Sequence, residues 1–486
     1  MGKRTRRQFL EDSMFATAAA VAAGSSTQLF AEEEAQSKSA NERLSVAVVG
    51  VRGRGGSHIG AFAGRKDTEV TYICDADREV GMKRTAEVSK RQGGRTPKFE
   101  EDIRKVLEDP SVDIVSIATP NHWHALAAIW AIQAGKDVYV EKPVSHNVSE
   151  GRRIVQAARK HDKICQCGTQ SRSNPGMIDA INFIHEGGIG KMKLARGLCY
   201  KPRGDIGDRG NYKPPASVNY NLWLGPAPLA PVTRPQFHYD WHWQWAYGNG
   251  DLGNQGIHQM DLARWGLKKD ALCNAVVSYG GRFGYEDAGE TANTQVIVCD
   301  YGDSSLVFEV RGLKTGDHKG AKIGVIYEGS DGYVVMTSYS SGAAFDLDGK
   351  KIREFSGGGD HFGNFISGVR SRKIEDLNGD ILEGHYSSAL CHLGNISLRL
   401  GEEVPAKQAD PMVAKIKTTD NALATLERTM AHLKDNGVDL DATKLQMGPT
   451  LAFDPMSETF PGNDDANAML TRKYRKGFEV PGENDV

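Results

Sequence analysis

The sequence predicts an α/β protein with two unlike halves. The prediction rests on the order of strand-like and helix-like segments along the chain. In the first half, short β-branched runs alternate with stretches that suit helices. This alternation is typical of βαβ units around a parallel sheet. After about residue 172, β-rich segments follow one another with few helices between them, which indicates a mainly antiparallel sheet. We therefore predict an N-terminal Rossmann domain and a C-terminal α+β domain with a large open sheet.

The individual elements are predicted from runs of apolar residues and from the turn-forming residues between them. Parallel strands are predicted at residues 44–49, 69–74, 112–118 and 136–140, with helical stretches from residue 57 and at 77–91, 100–108, 123–134 and 149–161. Later strands are predicted at 191–200, 275–283, 291–299, 305–310, 321–328 and 333–337, and helices at 257–266, 360–371 and 384–400. The C-terminal tail shows one amphipathic helix, at 422–436, followed by Pro-, Gly- and Asp-rich sequence.

These elements and the composition divide the chain into four segments. Residues 1–42 are interpreted as an export signal with a solvated linker, and residues 43–171 as the nucleotide-binding domain. Residues 172–402 form the predicted substrate-binding domain, and residues 403–486 the C-terminal helix and extended tail. No internal repeat is visible.

The N-terminus carries a pattern of its own. Arg6 and Arg7 precede Gln8 and Phe9, and an Ala-rich, mildly apolar run follows to residue 23. This arrangement resembles a twin-arginine export signal, and the run is too short for a membrane-spanning helix. No later stretch is long and apolar enough to cross a membrane. We therefore predict a periplasmic or otherwise exported protein.

Composition and charge exclude several classes of function. The formal net charge is −2, with 25% charged and 39% hydrophobic residues, so the chain is globular and lacks the basic footprint of a nucleic-acid-binding protein. Seven cysteines, an odd number, favour buried free thiols over a disulfide framework. His238 and His242 have i, i+4 spacing but no convincing third ligand, so we predict no metal site.

A glycine-rich turn joins the first strand to the first helix. Gly50 and Gly55 fit the outer positions of G-x-G-x-x-G, and Arg52 occupies the middle one. Such a turn brings backbone N–H groups and a helix N-terminus to a pyrophosphate. Asp75 ends the second strand, where a carboxylate accepts from ribose hydroxyls, which favours NAD; Arg52 and Arg78 leave NADP as the alternative. The predicted dinucleotide contacts here are Gly50, Arg52, Gly53, Arg54, Gly55 and Asp75.

Three further motifs narrow the function. Residues 118–124 read Ala-Thr-Pro-Asn-His-Trp-His, residues 141–143 read Glu-Lys-Pro, and residues 254–261 read Asn-Gln-Gly-Ile-His-Gln-Met-Asp. Together with the export signal they resemble the glucose–fructose oxidoreductase, inositol dehydrogenase and rhizopine catabolism family, called Gfo/Idh/MocA. The resemblance covers roughly residues 43–400. It implies an NAD(P)-dependent oxidoreductase of sugars or polyols, with a dimer or tetramer as the expected assembly.

The resemblance also implies roles for individual residues. Lys142 lies beside the nicotinamide and contacts the reacting hydroxyl, either relaying a proton or staying charged to stabilise an alkoxide. His258 serves as the general acid or base, a role that suits an ordinary histidine pKa near 6.5. Asn254 stands where many relatives have Asp, and an amide can only position substrate. The cofactor side of the cleft is then lined by Thr119, Pro120, Asn121, His124, Glu141 and Lys142.

Weaker signals indicate where the substrate binds. Residues 237–245 concentrate aromatic and histidine side chains before the His258 helix, and sugars stack on aromatic rings. A packed loop or a subunit interface is an equal alternative for this segment. Tyr200, Lys201 and Arg203 leave a predicted strand toward the cleft, where they could meet hydroxyls or a carboxylate. The predicted substrate contacts are Tyr200, Arg203, Trp241, His242 and Asp261.

Three functions remain open from the sequence. The first is hydride transfer to or from a secondary alcohol of a sugar, polyol or glycoside, with a tightly bound cofactor because free NAD is scarce outside the cytoplasm. The second is an NAD-dependent glycosidase that oxidises, eliminates and reduces back with no net redox change. The third is a binding protein that has lost catalysis. The replacement of Asp by Asn at position 254 is the reason to consider it.

Overall fold

A computed structural model describes residues 43–486, and the predicted export signal lies outside the described residues. The first domain is built on a six-stranded parallel sheet with the order β3-β2-β1-β4-β5-β6. This is the strand order of a dinucleotide-binding fold. Its strands are β1 (Leu44–Val49), β2 (Thr68–Cys74), β3 (Lys98–Glu100), β4 (Ile114–Ile117), β5 (Asp137–Val140) and β6 (Cys165–Cys167).

Helices cover both faces of this sheet, so its central strands are buried. Side-chain caps define where several of these helices begin. The Asp77 carboxylate accepts from the backbone N–H groups of Glu79 and Val80, and the Asn147 side chain accepts from that of Glu150. The helices are α1 (Gly55–Ala63), α2 (Arg78–Arg91), α3 (Ile103–Leu107), α4 (Asn121–Gln133) and α5 (Val148–Lys160). The next helix, α6 (Pro175–His185), packs in the core of the second domain.

The second domain contains an eleven-stranded sheet. All its strand pairs are antiparallel except one, the parallel pair of β7 and β10. The order is β14-β13-β12-β11-β7-β10-β9-β8-β16-β15, with β17 also paired to β8. The strands are β7 (Met192–Tyr200), β8 (Ala275–Gly281), β9 (Thr294–Asp300), β10 (Ser305–Arg311), β11 (Ile323–Gly329), β12 (Gly332–Met336), β13 (Ser341–Asp346), β14 (Lys351–Ser356), β15 (Glu402–Pro405), β16 (Lys444–Met447) and β17 (Leu451–Ala452). The predicted fold class, a parallel Rossmann sheet followed by a mainly antiparallel sheet, is therefore confirmed.

The later helices pack on both domains: α9 (His361–Ser371) contributes Phe365, Ile366 and Val369 to the core of the first domain. The eighth and tenth helices pack on the inner face, and the tenth also contacts α5 of the first domain, so its side chains are buried on nearly every side. The helices are α7 (Tyr220–Leu224), α8 (Ile257–Gly266), α9 (His361–Ser371), α10 (Ile381–Arg399), α11 (Asp410–Val413), α12 (Ala422–Asp435) and α13 (Asp464–Ala468).

The outer face of the second sheet is partly covered by the C-terminal segment. Leu426 and Leu433 of α12 pack on apolar residues of β7 to β10 and β16. Beneath α12, Glu309 is almost fully buried, and burial opposes its ionisation. Arg196 and Arg428 nevertheless hold the pKa of Glu309 at about 2. The sequence predicted helix α12 but not the strands β15 to β17. These strands have only two to four residues, too few to show an alternation of apolar and polar side chains.

The tail then crosses back to the first domain, where residues 470–486 form a strap along α4 and α5. Phe478 meets the ring of Trp123 edge-on, with centroids 5.7 Å apart, and is 6% exposed. Arg475 donates three hydrogen bonds, at 2.7–2.9 Å, to Gly225 and Asn221 next to α7. The strap therefore ties a loop of the second domain to the helices of the first.

Three properties of the described residues bear on function class. All seven cysteines are free and buried. No helix within residues 43–486 has the length and apolarity to cross a membrane. In the same part of the chain no group of three or more His, Cys, Asp or Glu side chains could hold a metal ion.

Candidate active site

A cleft opens where the carboxyl ends of β1, β2, β4 and β5 meet the second domain, the usual position of a ligand in this fold. The first domain contributes the loop after β1, the end of β2, the start of α4 and the Glu141-Lys142 pair after β5. Across the cleft stand residues of the second domain: Trp223, His238, Tyr239, Trp241, His242 and Asn254.

The glycine turn has the geometry of a phosphate cradle. Gly50 has a φ of +78°, and a Cβ there would lie 2.6 Å from the Thr119 nitrogen. A Cβ on Gly55 would lie 1.9 Å from the carbonyl oxygen of Gly50, so both positions require glycine. Helix α1 begins at Gly55 without a side-chain cap, so its positive N-terminal end faces the turn, although the N–H groups of Gly56 and Ser57 bond the carbonyl oxygens of Gly53 and Arg54. Gly53 is exposed in this turn, with nothing within 4 Å of an added Cβ.

Asp75 lies at the end of β2, as the sequence predicts. Its two oxygens accept from the backbone N–H groups of Val51, at 2.8 Å, and Asp77, at 2.9 Å, which fixes the carboxylate at the rim of the cleft. Burial raises the pKa of Asp75 to about 6. Arg78 points to Glu101, at 3.2 Å, and Arg52 is exposed. A carboxylate at this position can accept hydrogen bonds from ribose hydroxyls.

Glu141 and Arg54 bind each other rather than presenting two independent contacts. Arg54 Nε lies 2.7 Å from Glu141 Oε1, and His58 Nε2 lies 3.2 Å from the same oxygen. Burial opposes ionisation, but Arg54 and His58 hold the pKa of Glu141 well below its ordinary value. Both residues line the cleft, yet the carboxylate is already paired. Its role here is to anchor Arg54 and, through Oε2, the Lys142 backbone N–H.

The Thr-Pro-Asn-x-x-His segment opens α4 against the cleft, and each predicted residue in it lines the cavity. Asn121 donates to the side chain of Asn249 at 3.0 Å, which links the two domains. His124 has one ring nitrogen 2.6 Å from the Pro143 carbonyl oxygen and the other 2.8 Å from that of Thr119. Burial lowers the pKa of His124, and a neutral imidazole donates to only one of these two oxygens, so His124 packs between the turn after Lys142 and the end of β4.

Lys142 reaches across the domain boundary. Its Nζ donates to the carbonyl oxygen of Asn254 at 2.7 Å. That carbonyl belongs to a π-helical turn, Leu252–Gly256, directly before α8, and such turns are frequent at functional sites. Burial lowers the pKa of Lys142, partly offset by Glu141. The backbone of Asn254 therefore positions the ammonium, and its side chain lies at the cleft wall.

His258 lies on the first turn of α8 and is 8% exposed. Burial, and next the charge of Lys142, lower its pKa to about 3. The expectation of a histidine poised near 6.5 is therefore corrected: the imidazole is neutral at neutral pH because water and counter-ions are largely excluded. Its ring packs beside Tyr339, with centroids 5.0 Å apart.

The aromatic segment forms the cleft wall that faces the nucleotide-binding domain. Trp241 stacks on His242 with centroids 3.6 Å apart, and both line the cleft. His242 Nδ1 contacts the carbonyl oxygen of Tyr239, and burial lowers the pKa of His242 to about 3. His238 bonds Asp77 at 2.8 Å, so the wall is attached directly to the first domain.

Two predicted substrate contacts are corrected. Tyr200 is 2% exposed and donates to Glu309 at 2.7 Å on the outer face of the sheet. Asp261 is 1% exposed and paired with Arg172 at 2.8 Å. Alternation along β7 and the helical turn of α8 direct both side chains away from the cleft. Arg203 is paired with Asp251 at 2.7 Å but also donates to Tyr239, a cleft residue.

The sequence did not point to Gln170, Gln255 or Tyr339, whereas Lys201 was among the residues predicted to leave β7 toward the cleft. Gln170 donates to Glu141 at 3.1 Å, and Lys201 donates to Gln255 at 3.0 Å. Gln255 also donates to the Tyr339 hydroxyl. Gln255 stands inside the Asn254–Asp261 motif and could have been suspected from it; Gln170 and Tyr339 lie in stretches without any motif.

Comparisons with known proteins match this arrangement. The sequence model of an oxidoreductase family with an NAD-binding Rossmann fold matches residues 44–169. A second model of the same family, its C-terminal alpha/beta domain, matches residues 208–433. Together the two matches cover most of the chain.

Individual relatives are more distant. Levoglucosan dehydrogenase of Pseudarthrobacter phenanthrenivorans is 30% identical over 178 residues, 36% of this chain and 38% of that protein. A glycosyl hydrolase family 109 protein of a Shewanella species is 29% identical over 150 residues, 30% of this chain and 33% of that protein. The matched region spans less than half the length of each of these relatives. A crystal structure of the WlbA dehydrogenase of Bordetella pertussis, with NADH and UDP-GlcNAcA, superposes with a TM-score of 0.55 at 20% identity, covering 74% of this chain and 97% of that one.

Proposed function

Because the chain belongs to the Gfo/Idh/MocA oxidoreductase family, we propose that it transfers hydride between NAD and a secondary alcohol of a sugar, polyol or glycoside. One observation carries the proposal. The Lys142 ammonium crosses from the nucleotide-binding domain to Asn254, one turn before His258, at the inner end of a cleft whose outer end is a glycine turn. The charge of Lys142 lowers the pKa of His258, so we place the reacting hydroxyl near this cation and this neutral imidazole.

The residues present suit a dinucleotide. The turn at Gly50 and Gly55 has no room for side chains, and the N-terminus of α1 is free of a side-chain cap. Asp75 is held for a ribose, which favours NAD over NADP. When bound, the nicotinamide ring takes up or returns the hydride. Tight retention and use of NADP are extensions of this proposal that the fit does not require.

The chain's own residues supply the polar part of the reaction. Lys142 stabilises negative charge on the hydroxyl oxygen as the C–H bond is lost. His258, uncharged at neutral pH, accepts the O–H proton while the C–H hydrogen leaves as hydride, or it orients the hydroxyl through its ring nitrogen. Asn254 has no proton to exchange and positions the substrate. Trp241 and His242 offer a flat surface to a sugar ring.

Titration of the purified protein with NAD and NADP, followed by a screen of sugars and polyols for NADH formation, tests the proposal. We expect saturable binding of NAD, tighter than of NADP, and NADH formation with at least one sugar alcohol group. A protein that takes up neither dinucleotide would contradict the proposal. Mass spectrometry of the protein as isolated measures how much nucleotide it retains.

A redox-neutral glycosidase is the second candidate, because several relatives are glycosyl hydrolase family 109 proteins. Such an enzyme uses the same lysine and dinucleotide but returns the hydride after elimination. Release of the aglycone from a nitrophenyl glycoside, dependent on bound NAD and without net NADH, would favour this function over the first.

Export by the twin-arginine route and self-association remain proposals that rest on resemblance. A fusion of residues 1–42 to a reporter, with Arg6 and Arg7 replaced by Lys as the control, tests the export signal. Pairing through the second sheet would have to avoid the part of its outer face that α12 covers. Light scattering of the purified protein measures the assembly.

A further inference from the structure

Two ammonium groups have only amide oxygens as hydrogen-bond partners: Lys142 lines the cleft, and Lys201 binds the residue that follows Asn254 of the cleft wall. Lys142 Nζ donates to the Asn254 carbonyl oxygen at 2.7 Å, and Lys201 Nζ donates to the Gln255 side-chain oxygen at 3.0 Å. Asn254 and Gln255 are neighbours in the same π-helical turn. Consecutive residues of one turn at the edge of the cleft therefore hold the two positive charges.

The carboxylates of this region each bind a guanidinium group, so they offset these charges only in part: Glu141 raises the pKa of Lys142, but less than burial lowers it. Within residues 43–486 no Asp or Glu forms an ion pair with Lys142 or Lys201. The guanidinium groups are themselves within 2.7–2.8 Å of those carboxylates, which are 3% exposed or less. The three pairs are Glu141 with Arg54, Asp251 with Arg203, and Asp261 with Arg172.

Lys201 is also linked to the reacting groups. Gln255, which accepts from Lys201, donates to the hydroxyl of Tyr339, and the Tyr339 ring packs against His258 with centroids 5.0 Å apart. Neither His258, which is neutral, nor the Gln255 amide brings a compensating charge. The charge of Lys201 contributes to the lowered pKa of Lys142, after the larger effect of burial.

We infer that the substrate is an acidic sugar, and that an anionic group on its ring, carboxylate or sulfate, binds the Lys201 ammonium beside Gln255. The inference rests on the proposed function, because it concerns the same cleft. An ammonium group bound only to an amide keeps donors for an anion, and its attraction is strong where protein excludes water. Lys142 remains with the reacting hydroxyl, so Lys201 selects the substrate and Lys142 acts on it.

The test uses three glycosides that share one ring: methyl glucuronide, methyl glucoside 6-sulfate and methyl glucoside. Calorimetry measures the binding of each to the NAD-loaded protein. We expect at least one anionic glycoside to bind about tenfold or more tightly than the neutral glucoside, as one charge-assisted contact provides. The stronger of the two anions identifies the group. The preference should shrink in high salt, because screening weakens the contact.

Lys201→Gln removes the charge and keeps a polar chain of similar length. In this variant the anionic and neutral glycosides should bind about equally well, because the charge-assisted contact is lost. Lys191→Gln is the matched control, because Lys191 is exposed just before the opposite end of β7. It should keep the full preference.

The outcomes separate the two levels of argument. If NAD does not bind at all, the proposed function fails and the inference with it. If NAD binds but the neutral glucoside binds as well as both anions, or Lys201→Gln keeps the preference, the inference alone is overturned. Absence of binding by all three glycosides to NAD-loaded protein also overturns it.

Discussion

The two ends of the cleft are built in different ways. The nucleotide end uses backbone and short-range sequence: Gly50 and Gly55 lie in one turn, and Asp75 follows the next strand. The substrate end is assembled from side chains that are far apart in the chain, with Lys142 meeting Asn254 and Lys201 meeting Gln255. Binding at the nucleotide end depends mainly on backbone conformation, and binding at the substrate end depends mainly on the charges of side chains. Substitutions at the two ends should therefore affect different measurable quantities.

The largest effect is expected at the substrate end, from Lys142→Met. Loss of the ammonium removes the group that stabilises charge on the reacting oxygen, so kcat for NADH formation should fall about 10³-fold. NAD affinity, measured by fluorescence titration, should stay unchanged. A parallel loss of NAD affinity would show that the two ends are not separable.

At the nucleotide end, Gly50→Ala should weaken NAD binding about 100-fold, from about 3 kcal/mol of strain. The Cβ would lie 2.6 Å from the Thr119 nitrogen in a backbone with φ of +78°. Gly358→Ala is the control, because nothing lies within 4 Å of a Cβ there. Calorimetry gives the affinity, and thermal unfolding shows whether the fold is kept. Normal NAD affinity in Gly50→Ala would remove the turn from the binding site.

Asp75 gives a pH-dependent effect of intermediate size. Its pKa in the folded protein is about 6, so the carboxylate is charged at pH 7.5 and largely protonated at pH 5. NAD affinity should therefore decline about tenfold as the pH falls through 6, because a neutral acid accepts hydrogen bonds from ribose less strongly. Asp75→Asn should bind weakly at both pH values. A pH dependence that persists in Asp75→Asn would assign it to another group.

The same raised pKa has a consequence for stability with the opposite sign. A carboxyl whose folded pKa lies above its unfolded value binds protons more tightly when folded. Without nucleotide, Asp75 therefore contributes more stability as the pH falls from above 6 toward its ordinary value near 3.8. Chemical unfolding of the wild-type protein and of Asp75→Asn, over this pH range, compares the two directly.

The smallest effect is expected between the two ends, at the strap. Arg475→Ala removes three hydrogen bonds to Asn221 and Gly225, beside the wall that carries Trp223. NADH should then dissociate a few-fold faster in stopped flow, in line with about 1 kcal/mol for a lost contact. Exposed Lys476→Ala is the control. Equal rates in the two variants would separate the strap from nucleotide retention.

The contrast between the ends also explains what the sequence could predict. The strands before Gly50 and Asp75 and the Glu141-Lys142 pair are local patterns, and the structure places all of them at the cleft. The partner of each side chain is a property of the fold: Arg54 and Glu141 are 87 positions apart. Tyr200 and Asp261 were misassigned for the same reason, since a motif gives residue type but not which way a side chain points.

The strap has one more consequence, for the order in which the protein is made. The first domain begins at Leu44, yet Phe478 fills the surface of its helix α4. While the nascent chain is still on the ribosome, that apolar surface around Trp123 has no cover, and the wall next to Gly225 has no anchor. Completion of the nucleotide-binding core thus waits for translation to reach the strap, so cofactor loading and maturation should follow synthesis rather than accompany it.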